Sequence, residues 1–239
     1  MKQEDMFEAT YAVPMHCQGC ADGIHRALDG LPGTKEVQFD IAKQLMVVKS
    51  SIAPSAIIET VQQKCGRDVI IRGAGASNSS AVCILEGAEG RVKGLVRMVE
   101  VDGGRKTLVD ITLNGVEVPG VYKVRAHQNG DISRGMASVG AVFHDFRQDV
   151  VCADASGDGS AGDKLYSGKL FFSASEVPIW TLIGRSITAT TLIADHSSGL
   201  VGVIARSAGV WENDKQVCAC SGKTVWQERK DAIEHNIKH

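Results

Sequence analysis

The feature that most limits what this chain can fold into is a change of hydrophobic period at one short segment. Gly73-Ala74-Gly75-Ala76-Ser77-Asn78-Ser79-Ser80 has the composition of a linker. Before it, apolar residues fall alternately at helical and strand spacing. Thr10 to Val13 is a strand candidate, and Cys20, Ile24, Ala27, Leu28 and Leu31 recur as one helix face that Pro32-Gly33 ends. Val37, Phe39 and Ile41, then Leu45 and Val47, alternate around Lys43-Gln44 as a hairpin. Pro54 suits a helix first turn, with Ile57, Ile58, Val61 and Cys65 as its buried stripe, and Val69-Ile70-Ile71 is a last short strand. The order βαββαβ is the ferredoxin-like arrangement.

Beyond the segment the period is two. Val109, Ile111 and Leu113 alternate with Asp110 and Thr112, and apolar runs recur at 81–85, 95–101, 170–172, 182–187 and 201–205. Several strands, turn signals between them and 26 glycines predict an antiparallel sandwich or barrel. The 34 residues from Arg206 to His239 are too few for a core of their own. Thr224 and Gln227 have the spacing of a capping box for a short helix there, in a tail expected to stay mobile until it docks. The expected division is therefore 1–72, a linker at 73–80, a β domain at 81–205 and a tail at 206–239.

Basic and acidic residues number 26 and 28, a net charge of −2 with a pI near 6.4, which argues against a general nucleic-acid binder. No run of 18 apolar residues exists to span a membrane, and Met1 to Val13 lacks the apolar core of a secretory signal. A reducing, cytoplasmic setting is expected. There, paired cysteines point to metal binding or redox exchange rather than to a structural framework. Of seven cysteines, four fall in two pairs, Cys17-x-x-Cys20 and Cys218-x-Cys220.

Met15-His16-Cys17-Gln18-Gly19-Cys20 lies between the first strand and the first helix. Two thiolates at a helix start converge on one ion, the helix terminus lowers their pKa, and two soft ligands alone suit Cu(I). Structural zinc wants four ligands, and only His16 is near enough to add one. A thioredoxin-like redox pair and an inert exposed pair are the competing readings. At the other end, Cys218 and Cys220 point oppositely in an extended strand. Their joint action needs the bend that Ser221-Gly222 permits, and their disulfide would be strained and oxidising. A zinc half-site and chance are the alternatives there. Cys65 and Cys83 are expected buried and inert, and Cys152 is left open.

The Met15-His16-Cys17-x-x-Cys20 unit resembles the small copper metallochaperones and the soluble domains of copper-transporting ATPases. In that family a basic residue after the second helix sits near the metal, a place taken here by Arg67, with Met15 supporting the loop. Residues 81–205 resemble Cu/Zn superoxide dismutase, an eight-stranded Greek-key barrel, through Val124-Arg125-Ala126-His127-Gln128-Asn129-Gly130-Asp131, Leu182-Ile183-Gly184-Arg185 and Gly202-Val203-Ile204-Ala205. The active family needs a copper site of four histidines and a zinc site. This region holds only His127, His144 and His196, with Arg125 and Thr190 where copper ligands would stand and Asp163 matching the zinc aspartate alone. Val201 replaces the second cysteine of the dismutase disulfide. The resemblance places a dimer face on Asn129 to Ser133, Ile183, Gly184, Val203 and Ile204; these residues as plain core and turn are the other reading.

The three parts in this order, with Arg206 to Asn213 and Val217-Cys218-Ala219-Cys220, resemble the fungal branch of the copper chaperones for superoxide dismutase. The resemblance implies a metallochaperone in the oxidative stress response and not an active dismutase. Cys17 and Cys20 would acquire Cu(I) from an upstream donor. The barrel would dock Cu/Zn superoxide dismutase as a heterodimer, with a homodimer as a further assembly. Cys218 and Cys220 would complete transfer and oxidise the target's disulfide. The location implied is the cytoplasm, with the mitochondrial intermembrane space as a second one. A dismutase with a fused copper feeder, and a storage or sensing protein built on a shared thiolate cluster, are the rival classes.

Overall fold

The computed structural model describes residues 5–158, 164–191, 199–213, 215 and 221–234. Cys218 and Cys220, Asp163 and His196 lie outside the described residues. The first unit runs β1 (Phe7–Ala12), α1 (Gln18–Asp29), β2 (Thr34–Asp40), β3 (Leu45–Ser50), α2 (Pro54–Cys65) and β4 (Ile70–Ala74), the predicted βαββαβ order. Its sheet is antiparallel with strand order β2-β3-β1-β4, so β4 is an edge. Ile24, Leu28, Ile57, Ile58 and Val61 from the two helices pack on Phe7, Ala9, Tyr11, Met46 and Val48 of the sheet.

The second unit comprises β5 (Ser80–Glu86), β6 (Val92–Val101), β7 (Lys106–Val116), β8 (Gly120–His127), β9 (Val142–Cys152), β10 (Asp154–Asp158), β11 (Lys164–Ser175), the one-turn α3 (Ile179–Leu182), β12 (Ser186–Thr191) and β13 (Leu200–Arg206). The sheet order is β10-β11-β7-β6-β5-β13-β12-β8-β9. Strands β5 to β7 form a meander, and β8 then crosses to pair with β12 and β9, the Greek-key step. Eight strands nearly close a barrel where β11 meets β9. Gly168 is required there, because a Cβ on it would stand 2.3 Å from the Val151 carbonyl oxygen. The interior is filled by Val96, Met98, Val109, Ile111, Leu113, Tyr122, Val124 and Ile187. Beyond β13, α4 (Val225–Glu234) begins with the predicted capping box: the Thr224 N–H donates to Gln227 Oε1 at 2.8 Å and the Gln227 N–H to Thr224 Oγ1 at 3.2 Å. No described helix is long and apolar enough to cross a membrane.

The two units share a buried junction. On β7, Val109, Ile111 and Leu113 face the barrel interior, while Leu108, Asp110 and Thr112 face outward and are buried all the same. What covers them is the first unit: Leu108, with Val99 and Val101 of β6 and Phe171 of β11, belongs to the core of the ferredoxin-like unit. Helix α2 starts at Ala53, which offers no capping side chain. The barrel supplies the cap instead. Asp110 accepts hydrogen bonds from the Ser55 N–H at 2.9 Å and the Ser55 hydroxyl at 2.7 Å, and pairs with buried Arg97 at 3.8 Å. A carboxylate at the positive end of a helix satisfies the Ser55 donors and offsets the Arg97 charge, though Arg97 Nη1 itself makes no hydrogen bond among the described residues. The same two charges flank the buried Tyr11 hydroxyl, whose pKa is pushed far up, chiefly by burial and further by Asp110.

Removing one partner of such a pair strands the other. Asp110→Ala is therefore expected to cost about 3–5 kcal/mol. Ser55→Ala leaves the pair intact and costs about 1–2 kcal/mol, the range of a lost helix cap. Denaturant titration of the two variants measures both. Equal costs would mean that Asp110 acts as a helix cap alone.

Candidate metal centre

The loop from Val13 to Cys17 delivers two thiols to the start of α1. Cys17 is the N-cap, with extended backbone angles (φ −158°, ψ 168°), and its carbonyl accepts from the Cys20 N–H at 3.1 Å, the first turn of the helix. The extended N-cap followed by one helical turn brings the two Sγ atoms to 3.6 Å on the exposed end of the helix. Both are free thiols. Met15 is 1% exposed and packs in the core of the unit, so it fixes the loop from beneath while its neighbours His16 and Cys17 face solvent.

Arg67 follows the left-handed cap Gly66 (φ 62°) at the end of α2 and turns back over the thiols. Its guanidinium donates to the Pro14 carbonyl at 2.5 Å and to Cys20 Sγ at 3.2 Å. The Cys20 thiol is held below the ordinary thiol range. The His16 backbone hydrogen bond contributes most, then the Cys17 side chain, with the Arg67 charge adding to both. The shift favours thiolate relative to an ordinary cysteine, and thiolate is the form that binds soft metal and attacks electrophiles. Among the described residues no group of three His, Cys, Asp or Glu side chains converges anywhere. The donor set at this loop is two sulfurs, which fits a soft ion content with low coordination and does not fit the tetrahedral set of structural zinc.

Cys65 corrects its expectation. It is only partly buried at the last turn of α2, packed against the core that holds Ile57, Ile58 and Val61. It lines an open groove of about 450 Å³ with Cys20, Arg26, Lys64 and Arg67. Cys83 and Cys152 are buried in the barrel, and desolvation raises each thiol to about 12.

The barrel holds no comparable site among the described residues. His127 is bonded on both ring nitrogens, to the Gly140 carbonyl and to Thr188 Oγ1, each at 3.0 Å. Arg125 pairs with Asp145 at 3.0 Å across β8 and β9. His144 stacks edge-on against Phe146, and burial lowers its pKa.

The three segments of the expected docking face are brought together. Gly130 lies against the Gly184 backbone, where a Cβ would be 2.2 Å from the Gly184 oxygen, and beside Val203. Gly184 (φ 82°) donates its N–H to the Ile204 carbonyl at 2.9 Å. Ser186 Oγ donates to the Asn129 carbonyl at 2.7 Å, and Arg185 to that of Gln128 at 2.9 Å, with its guanidinium 3.6 Å over the Phe143 ring. Ile183 packs against the barrel core from outside. The expectation for Ile204 does not hold: alternation along β13 turns it inward, 1% exposed, and puts Val203 and the adjacent Ile84 on the surface. Trp180, one turn before Ile183, is 73% exposed and was not anticipated; an apolar side chain in a short run beside turn residues gives no sequence sign of its side.

A depressed thiol loses its anionic form only as pH falls through the depressed value. Alkylation of Cys20, followed site by site against pH, is expected to persist below the ordinary thiol range. Arg67→Met should move its midpoint upward, by less than the backbone contribution, while buried Cys152 stays unreactive below pH 10. An unmoved midpoint in Arg67→Met would remove Arg67 from the site.

Residues 10–68 match the heavy-metal-associated domain family. Over the full length the chain is 53% identical to the superoxide dismutase 1 copper chaperone of Candida glabrata, covering 98% of each chain. It is 49% identical to that of Saccharomyces cerevisiae over 100% of each. The copper chaperone for superoxide dismutase of Sus scrofa is 31% identical, over 93% of this chain and 89% of the relative. With a two-thiol loop on a ferredoxin-like unit and a barrel whose described histidines are engaged by the protein itself, the chain belongs to the copper chaperones for superoxide dismutase.

Proposed function

We propose that this protein takes Cu(I) on Cys17 and Cys20, docks Cu/Zn superoxide dismutase through its barrel, and passes the ion on. The cargo is written here as a substrate, bound and released. The observation that carries the reading is the exposed thiol pair 3.6 Å apart under Arg67, on the same chain as a dismutase-like barrel that presents no metal site among its described residues. Two thiolates and Cu(I) carry one net negative charge, and the Arg67 guanidinium offsets it. Transfer then proceeds by ligand exchange, an incoming thiolate bonding to the ion before an outgoing one leaves. Exposure of Cys17 is what permits that approach.

The division of labour follows the expected boundaries, 1–72 for copper, 81–205 for docking and 206–239 for the final step, with 73–80 between. In that step Cys218 and Cys220 act on the target. Their disulfide, attacked by a target thiolate, forms a mixed disulfide; a second target thiolate displaces the tail sulfur, leaving a target disulfide and a tail dithiol. Two electrons and two protons pass to the tail. Docking by Ile183, Gly184 and Val203 would give a heterodimer, or a homodimer when the target is absent. An upstream donor supplies the copper, in the cytoplasm and also in the mitochondrial intermembrane space.

Cu(I)-loaded protein mixed with reduced apo-dismutase at limiting copper is expected to restore dismutase activity. Cys17→Ser with Cys20→Ser should abolish that restoration together with tight Cu(I) binding. Cys218→Ser with Cys220→Ser should keep Cu(I) binding and lose activation and target disulfide formation. A docking variant, Val203→Asp, buries an unpaired charge in the complex. About 3 kcal/mol of that penalty weakens the heterodimer roughly a hundredfold with little change in the stability of the monomer. Wild-type heterodimer affinity in Val203→Asp would sink the assigned face.

A further inference from the structure

The chain leaving the barrel does not run into solvent; it crosses the junction and fastens to the metal-binding unit. Ser80 Oγ donates to the Ser207 and Ala208 carbonyls at 3.2 and 3.0 Å, and the Ala74 N–H to Ala208 at 3.0 Å. The Val210 N–H donates to the Gly75 carbonyl at 3.0 Å and the Trp211 N–H to Thr10 Oγ1 at 3.2 Å. Gly73 and Gly209 allow the contact, since a Cβ on Gly73 would sit 2.1 Å from the Gly209 oxygen. The segment thus covers β4, the open edge of the ferredoxin-like sheet.

Arg72, on that edge strand and buried, holds the segment's far end. Its Nε donates to the Asn213 carbonyl and its Nη2 to Asn213 Oδ1, both at 3.1 Å, and Nη2 also bonds the Lys215 carbonyl. Three acceptors match the planar fork of a guanidinium, and a buried cation is costly without them. Lys215 is three residues before Cys218. On the far side of the thiol pair, Arg229 of α4 stands 3.9 Å from Asp68, next to the Arg67 that bonds Cys20.

We infer that Arg72 is a positioning residue for copper delivery: by clasping Asn213 and Lys215 it ties the chain that leads towards Cys218 and Cys220 to the metal-binding unit. This rests on the function proposed above for the tail thiols. Anchoring at Lys215, three residues before Cys218, shortens the tether between the metal-binding unit and the tail thiols, and a shorter tether raises their effective concentration. The clasp is made of neutral carbonyl acceptors, so it opens without stranding an acidic partner.

Hydrogen exchange of the full-length protein tests the clasp, and activation of apo-dismutase at limiting copper tests its role. In Arg72→Gln, amides at 208–215 and 225–234 should exchange at least tenfold faster, with β1 to β3 and the barrel unchanged. Cu(I) affinity at Cys17 and Cys20 should hold, and the initial activation rate should fall at least fivefold. Arg72→Lys, which reaches one acceptor at a time, should recover part of the rate. Asn213→Ala approaches from the tail side and should lower both protection and rate, keeping the test open if Arg72→Gln fails to fold. Unchanged exchange in these variants overturns the clasp. Faster exchange with a wild-type activation rate overturns the positioning role, provided Cys218→Ser with Cys220→Ser is inactive. Full activity of that double variant overturns instead the function proposed for the tail, and the positioning role with it.

Discussion

The arrangement of the whole molecule turns on Asp110. A helix whose own N-cap is alanine needs a donor-satisfying group at its first turn, and here that group comes from a different folding unit. The two units thereby become conditional on each other. Without the barrel, α2 loses its cap; without α2, a carboxylate, a guanidinium and the outward apolar residues of β6 and β7 face water. Since α2 ends in Gly66 and Arg67, the same contact fixes the direction from which Arg67 reaches the thiols. A junction made of charges demands exact geometry, because desolvated ions repay their cost only when every partner is in place.

The metal loop illustrates how little sequence is needed to make a reactive site when secondary structure supplies the rest. Cys17 and Cys20 occupy a helix start, so the spacing of two residues between them becomes a common face, and the His16 and Cys17 backbone favours anionic sulfur at Cys20. Burial of Met15 keeps the approach to that face rigid without adding a ligand. The result is a pair at the protein surface in which the Cys20 thiol is lowered, whereas Cys83 and Cys152, equally cysteine, are silenced by the barrel interior.

Much of this was legible in the amino-acid sequence because it depends on local periodicity. The βαββαβ order, the start of α2 at Pro54, the reciprocal cap of α4 by Thr224 and Gln227, and the placing of Arg67 beside the thiols all arise within a few residues or from a family resemblance. What escaped is set by contacts distant in the chain. Asp110 reads as an exposed residue on a half-buried strand, since nothing local shows that a second unit covers that side. Ile204 reads equally well as interface or core until the register of β13 decides. Cys65 continues an apolar stripe in sequence and packs against the core, but at the last turn of the helix it is only partly covered. Arg72 bonds residues some 140 positions away, beyond any periodic signal.

His127, Arg125 and Asp145 of the barrel are engaged by the protein itself. His127 sits among polar residues and would be a candidate ligand in isolation. Thr188 and the Gly140 carbonyl take both nitrogens, so the ring serves as a strut between β8, β12 and the loop after residue 138. Beside it Arg125 and Asp145 pair at 3.0 Å. Hydrogen bonds and an ion pair hold these strands and the loop in place. The loops held in this way include the one that carries Gly130 against Gly184, next to exposed Val203. Rigidity at that surface comes from hydrogen bonds between its segments, the Gly184 N–H to the Ile204 carbonyl and the Ser186 hydroxyl to the Asn129 carbonyl among them.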